Sequence, residues 1–388
     1  MKAMKFLPYA ALLLTSAAFA APKSCAPKKA EAPTCPLEGE PLACGYDAAY
    51  NAPAAIGFSC NDTHFFADGS FTYWYAGQEG MHIASNGVLS PPMVYFPGKV
   101  TTVFQLSGYK PGFKAGFGVV TDNEWVVHAE YTWYRGTHTA NTGSPPASQS
   151  LTAGTATALS GTPVWVVDDW FLQGTTDGQA LSGSNVSSSW RLAMDLIDVT
   201  AGRPFYQGKR VVVSPFGGIR SALIRQKMNV SFIEDPRLYP LNPQPIKSNN
   251  KSNSWSIGPR FGADVDVLLN GGFRLEGELA ASLLFTQYTT VKHTEDPAAS
   301  TFNQGPLKAS WRNYNCLRPV VELGLGIGWG QYFSDDQYHA DVSLDYDFSL
   351  FWEQNMMRRL IDDTLTGTGP ASSNLYFHGL TLTVRFDF

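Results

Sequence analysis

Asp264, Asp266, Glu276, Glu278, Glu322, Asp341, Asp345 and Asp347, together with Arg260, Arg274, Arg318 and Arg385, share one face of runs whose other face is apolar. Fixed carboxylates and guanidiniums in rows do electrostatic work rather than bond-making chemistry. Along a water-filled passage they bias ion traffic. Eight acids against four arginines predict a weak preference for cations. The alternative is that they pair across the passage and stiffen its wall. Nothing else in the chain offers a reaction centre. The seven histidines are scattered without an H-E-x-x-H, and no G-x-S-x-G is present. The glycines Gly324, Gly326, Gly328 and Gly330 repeat with period two, unlike a nucleotide-binding loop, and read as the small-residue face of a strand. Gly202 to Lys209 imitates a phosphate-binding loop, but Arg210 stands where Ser or Thr is required. No catalytic residue, metal site or cofactor is expected.

The elements that must position these charges are long strands. Leu380, Leu382, Val384, Phe386 and Phe388 alternate with Thr381, Thr383, Arg385 and Asp387, a period of two. Leaving such a strand as an open, apolar sheet edge invites aggregation, whereas a closed barrel pairs it with the first strand. Phe388 is accordingly the expected assembly signal. The same design recurs in hairpins. Phe113 to Val119 and Trp125 to Trp133 flank the turn Thr121 to Glu124; Trp255 to Val267 and Phe273 to Phe285 flank Asn270-Gly271-Gly272; Pro319 to Trp329 and Tyr338 to Leu350 flank Ser334 to Gln337. Further strands are expected at 64–75, 190–200 and 211–232, with weaker candidates at 91–108 and 157–173. Polar loops are expected at 136–156, 174–189, 233–254, 286–316 and 353–374. Short turns at one end and long loops at the other fit a transmembrane antiparallel up-and-down β-barrel of 10–16 strands, an all-β fold. A basic side chain facing lipid at mid-bilayer would cost about 2–4 kcal/mol, so the charged face must line a water-filled or plugged interior.

Composition agrees. Charged residues are 16% of the chain, below the ~25% of ordinary soluble proteins, while aromatic residues reach 13%. A net charge of −5 without basic clusters argues against a nucleic-acid partner. Residues 1–20 read as a signal peptide, with Lys2 and Lys5, an apolar core from Phe6 to Thr15, and Ala18-Phe19-Ala20 before the cleavage point. Residues 21–62 are rich in Cys and Pro and are expected to form a separate periplasmic segment, and residues 63–388 the barrel. Cys25, Cys35, Cys44, Cys60 and Cys316 lack zinc-site spacing. In an exported chain they are disulfide candidates, and the odd count leaves one thiol free or joined to another chain.

The stretch from Tyr109 to Gly118 contains Pro111-Gly112-Phe113 and, with Trp125 and Tyr131-Thr132-Trp133-Tyr134, resembles a hairpin of the Legionella-type major outer membrane proteins and their chlamydial relatives. Ser214 to Arg220, Trp255 to Gly262 and Ala280 to Leu284 extend the resemblance, which spans roughly residues 64–388 in order. Val267 departs from it, since family members often carry an aromatic there. The resemblance implies a porin passing small hydrophilic solutes, with a structural role in the envelope and envelope disulfides. The expected partners are outer-membrane lipid, the barrel-assembly machinery, small hydrophilic solutes, disulfide-linked envelope proteins and further copies in a trimer. The competing readings are an adhesin or structural barrel with a closed lumen, and a secreted soluble β-sandwich.

Overall fold

The computed structural model describes residues 63–90, 93–95, 100–121, 124–145, 162–167, 170–172, 182–207, 210–234, 245–296, 306–333, 338–365 and 373–388. The signal peptide, the Cys/Pro-rich segment and Cys25, Cys35, Cys44 and Cys60 lie outside the described residues. Ten wall strands, numbered in chain order, are β1 (His64–Gln78), β2 (Gly108–Val120), β3 (Val126–Asn141), β4 (Ser182–Gly202), β5 (Val211–Glu234), β6 (Pro245–Leu268), β7 (Phe273–Asp296), β8 (Tyr314–Phe333), β9 (Tyr338–Phe351) and β10 (Leu375–Asp387). Each pairs antiparallel with the next. β10 closes onto β1 from Phe66↔Asp387 to Gln78↔Leu375, and Phe388 and Phe65 exchange both backbone hydrogen bonds beyond that register, at 2.9 and 3.1 Å. The sheet is therefore a closed ten-stranded barrel without a free edge in its wall.

Alternation sets the two faces of the wall. Leu380, Leu382, Val384 and Phe386 are exposed on the outside, while Thr381 and Asp387 are buried inside. On β7 the outward positions from Phe273 to Phe285 include Leu275, Leu279 and Leu283, all exposed. At strand rise and barrel tilt these twelve steps cover about 30 Å, the thickness of a bilayer's hydrocarbon core. Aromatic rings collect at both margins. Phe333, Tyr338, Phe386 and Phe388 stack near the short turns, and Tyr73, Tyr75, Tyr109 and His378 stack toward the loops. Among the described residues no helix is long and apolar enough to cross a membrane; the crossing is made by strands.

Several strand boundaries differ from the sequence expectation. Residues 245–254 and 286–296, expected as loops, continue β6 and β7 beyond the bilayer. Their pattern was polar on both sides for a physical reason: Ser248, Asn250, Ser252 and Ser254 are buried inside, while Lys247 and Lys251 face solvent. The weaker candidates at 91–108 and 157–173 are not wall strands. His82–Ser90, Met93–Tyr95, Thr102–Phe104 and Thr162–Val166 form a small sheet that hangs from the start of β4 through Trp165↔Gly183 and Val166↔Ser182. The expected loop at 353–374 contains a helix, α1 (Met356–Leu365). The turn between β6 and β7 is as expected, with Gly271 and Gly272 at φ 75° and 81°.

Candidate functional site: the barrel interior

The interior has two layers of different chemistry. Toward the short turns it is charged. Arg220 on β5 forks onto Asp198 on β4 with two hydrogen bonds of 2.6 Å, and its remaining nitrogen meets Glu322 on β8 at 2.7 Å. Glu322 also accepts from Arg260 on β6 at 3.0 Å, and Arg260 reaches Glu278 on β7 at 2.5 Å. Lys114 on β2 lies 3.8 Å from both Glu130 on β3 and Asp347 on β9. Neither Arg220 and Glu322 nor Lys114 and Asp347 sit on adjacent strands. These pairs reach through the interior and join strands three apart in the wall.

A second cluster surrounds Arg274, which is 2% exposed and holds Asp341 at 2.7 Å, Asp266 at 3.6 Å and Glu276. Nearest the turns, Arg385 lies over the Phe66 ring at 3.7 Å and donates to Asp387, which also pairs with His339 at 3.0 Å. A guanidinium withdrawn from bulk water is tolerable only with partners of this kind around it. Asp345 accepts from Ser343 at 2.8 Å, and Asp347 accepts from Thr381 at 2.6 Å. Asp264 lies in register between Ser214 and Glu278.

The glycine face of β8 makes room for this layer. A methyl group at Gly328 would strike Glu276 and Arg274, and one at Gly326 would strike Asp345. Long charged side chains from β7 and β9 thus lie across the bare backbone of β8. The period-two glycine pattern is explained by that crossing.

Toward the loops an apolar cluster occupies part of the interior, beside the buried polar row Ser248, Asn250, Ser252 and Ser254 of β6. Trp190, Leu192, Met194, Ile224, Met228, Phe232 and Phe377 on the inner wall pack in one buried cluster with Trp165, Val167, Trp170 and Phe171 from the hanging sheet and its continuation, and with Met357 and Ile361 of α1. Trp170 donates its indole hydrogen to the His82 carbonyl at 2.6 Å, and Phe171 packs edge-on against Phe232 at 5.1 Å. Asn355, just before α1, donates to the Glu79 carbonyl at 2.9 Å. This plug packs against the inner wall on the loop side of the charged layer.

Every charged residue expected on the inner face lies there. Arg318, however, is separate from the ionic layer: it points to the α1 region and bonds Glu353 at 2.6 Å. Cys316 is half-buried and a free thiol among the described residues. The expected set lacked Lys114, Glu130, Asp198, Arg220, His339 and Asp387. Lys114 and Glu130 follow the same alternation as the residues that were found. Arg220 and Asp198 sit where both faces of β5 and β4 carry apolar residues, so alternation alone did not separate inside from outside.

Among solved structures, the toluene transporter TodX of Pseudomonas putida aligns over 88% of this chain and 92% of its own, at 8% identity and a TM-score of 0.24. The CymD monoaromatic hydrocarbon channel aligns over 84% and 88%, at 8% identity and a TM-score of 0.20. OmpT of Vibrio cholerae, an outer membrane protein with its loop L8 deleted, aligns over 85% and 100%, at 8% identity and a TM-score of 0.18. Likenesses this distant carry nothing about substrate. No curated protein matches the chain. Residues 59–388 match the family model described as the Legionella pneumophila major outer membrane protein precursor, and the chain belongs to that family of outer membrane proteins.

Proposed function

We propose that the protein is a porin-type barrel of the outer membrane whose passage is shut in this conformation by the apolar plug, and that small hydrophilic solutes and ions cross when the plug withdraws. The observation that carries this reading is the division of the interior. A barrel serving only as a wall has no need of a charged, glycine-floored layer beneath an apolar plug made from loop segments rather than wall strands. Acids outnumber bases in that layer, so cations pass more readily than anions.

A closed-lumen structural barrel is the second reading. The ion pairs joining strands three apart favour it, because a wall braced by Arg220–Glu322 and Lys114–Asp347 resists widening.

Proteoliposome swelling with sugars of graded size distinguishes them. Entry of the smallest sugars at a rate proportional to protein supports passage, and vesicles that stay impermeable to every sugar and ion support the closed barrel. The signal peptide, the periplasmic segment at 21–62, assembly through the C-terminal strand, trimer formation and disulfide links to other envelope proteins complete the proposal.

A further inference from the structure

Four basic residues stand in a row on the outside of the barrel. Arg191 on β4 is in register with Lys227 on β5, Lys227 with Lys251 on β6, and Lys251 with Lys292 on β7. All four are exposed. Lys292 joins the row only because a bulge opposite Asn253/Ser254 reverses the alternation of β7: Phe285 faces outward below it, and even-numbered residues face outward above it. The row ends on Thr137 and Ser310, the partners of Arg191 and Lys292. Among the described residues none of the four has an acid within ion-pair distance. Like charges placed directly opposite each other across a sheet repel, and adjacent strands are about 4.8 Å apart, so the row concentrates four positive charges within about 15 Å.

Its height fixes what it meets. Lys251 lies four residues beyond Trp255, whose ring packs on Phe285 at the loop-side end of the outward run of β7, and Thr137 lies four beyond Trp133. Four strand steps at barrel tilt place the row about 10 Å above that end, at headgroup level. One step nearer the membrane, Arg135 and Arg225 flank Ala193 in register and both hold Asp195, at 2.6 and 3.0 Å. With Asp195 between them the two arginines leave one net positive charge below the row. The long loops of an outer-membrane barrel lie on its extracellular side, so the row meets the outer leaflet.

We propose that Arg191, Lys227, Lys251 and Lys292 form a docking site for the phosphorylated sugar headgroup of an outer-leaflet glycolipid. A headgroup bearing more than one phosphate fits a row of charges at sheet spacing better than a lipid with one, and it relieves the repulsion within the row. Guanidinium and ammonium groups both serve as phosphate partners.

The test compares the wild-type protein with R191S/K227S/K251S/K292S and with the charge-retaining K227R/K251R/K292R, each confirmed as folded by heat-modifiable gel migration. The proteins are placed in phosphatidylcholine nanodiscs containing bisphosphorylated lipid A, dephosphorylated lipid A or phosphatidylglycerol, and the lipid retained after extraction is counted by native mass spectrometry. The expected result is retention of bisphosphorylated lipid A by the wild type and the arginine variant at least ~tenfold above the serine variant, with weak retention of the other two lipids and no displacement by millimolar inorganic phosphate. Equal retention by the serine variant, equal retention of phosphatidylglycerol, or full displacement by inorganic phosphate would overturn the proposal. If the serine variant does not fold, loss of preference for lipid A over its dephosphorylated form in the single variant K251E supports the site, and an unchanged preference overturns it.

Discussion

Arg220 and Glu322 meet at 2.7 Å across the interior, although β5 and β8 are separated in the wall by β6 and β7. Glu322 accepts from Arg260 as well, so one carboxylate serves the buried Arg220 and the partly buried Arg260. Glu322→Gln removes the charge and keeps the shape. It leaves Arg220 with Asp198 and Arg260 with Glu278. Removing one partner of a buried pair costs on the order of 3 kcal/mol. The measurement is urea-induced unfolding from lipid or detergent, and the midpoint is expected to fall markedly while Glu124→Gln, on an exposed turn, leaves it in place.

Gly326 and Gly277 are both wall glycines, but only one lies beneath the ionic layer. Gly326→Val pushes into the Asp345 carboxylate and should prevent the layer from closing, giving a barrel that refolds poorly or loses its compact gel form at lower temperature. Gly277→Ala meets its nearest atom, in Leu325, at 3.6 Å, an ordinary contact, and is expected to behave as wild type. Equal behaviour of the two variants would contradict the crossing of side chains over β8.

Phe388 closes the seam through two backbone hydrogen bonds with Phe65, and its ring stacks 6.2 Å from Phe386. Deleting Phe388 should slow insertion and lower the yield of folded barrel in refolding assays. Phe388→Leu keeps the backbone pair and an apolar side chain and is expected to recover most of that yield.

Much of this is legible in the sequence. The outward rows Leu380 to Phe386 and Phe273 to Phe285 alternate strictly because lipid demands apolar groups on one side and the ionic layer demands charge on the other. Where both sides meet similar surroundings, the pattern vanishes. Residues 245–254 are polar inside and out and so lack the strand signature, and Trp190 to Val199 mixes polar and apolar residues on both faces: the plug meets Trp190 to Leu196 inside beside the charged Asp198, while outside Ile197 and Val199 meet lipid and Arg191 and Asp195 are charged. The partners within the ionic layer were beyond reach for another reason. Arg220 with Glu322 and Lys114 with Asp347 are contacts through the interior of a closed cylinder, and no local spacing encodes which strands meet there. The plug was missed because Trp165, Trp170 and Phe171 lie in short segments that resemble weak wall strands.

Trp170 and Phe171 are fully buried in the plug. Replacing either with alanine leaves a cavity costing about 3–5 kcal/mol, taken largely from the plug rather than from the wall. The double variant should therefore keep its heat-modifiable barrel while its hanging sheet becomes accessible to protease within His82–Phe104 and Thr162–Val166.

Single-channel recording in a planar bilayer, with the wild type and W170A/F171A side by side under a salt gradient, tests the gated passage most directly. The wild type is expected to show brief, infrequent openings, the variant long openings, and both a reversal potential of cation-selective sign. A folded, inserted variant that stays as silent as the wild type would contradict it and leave a closed structural barrel.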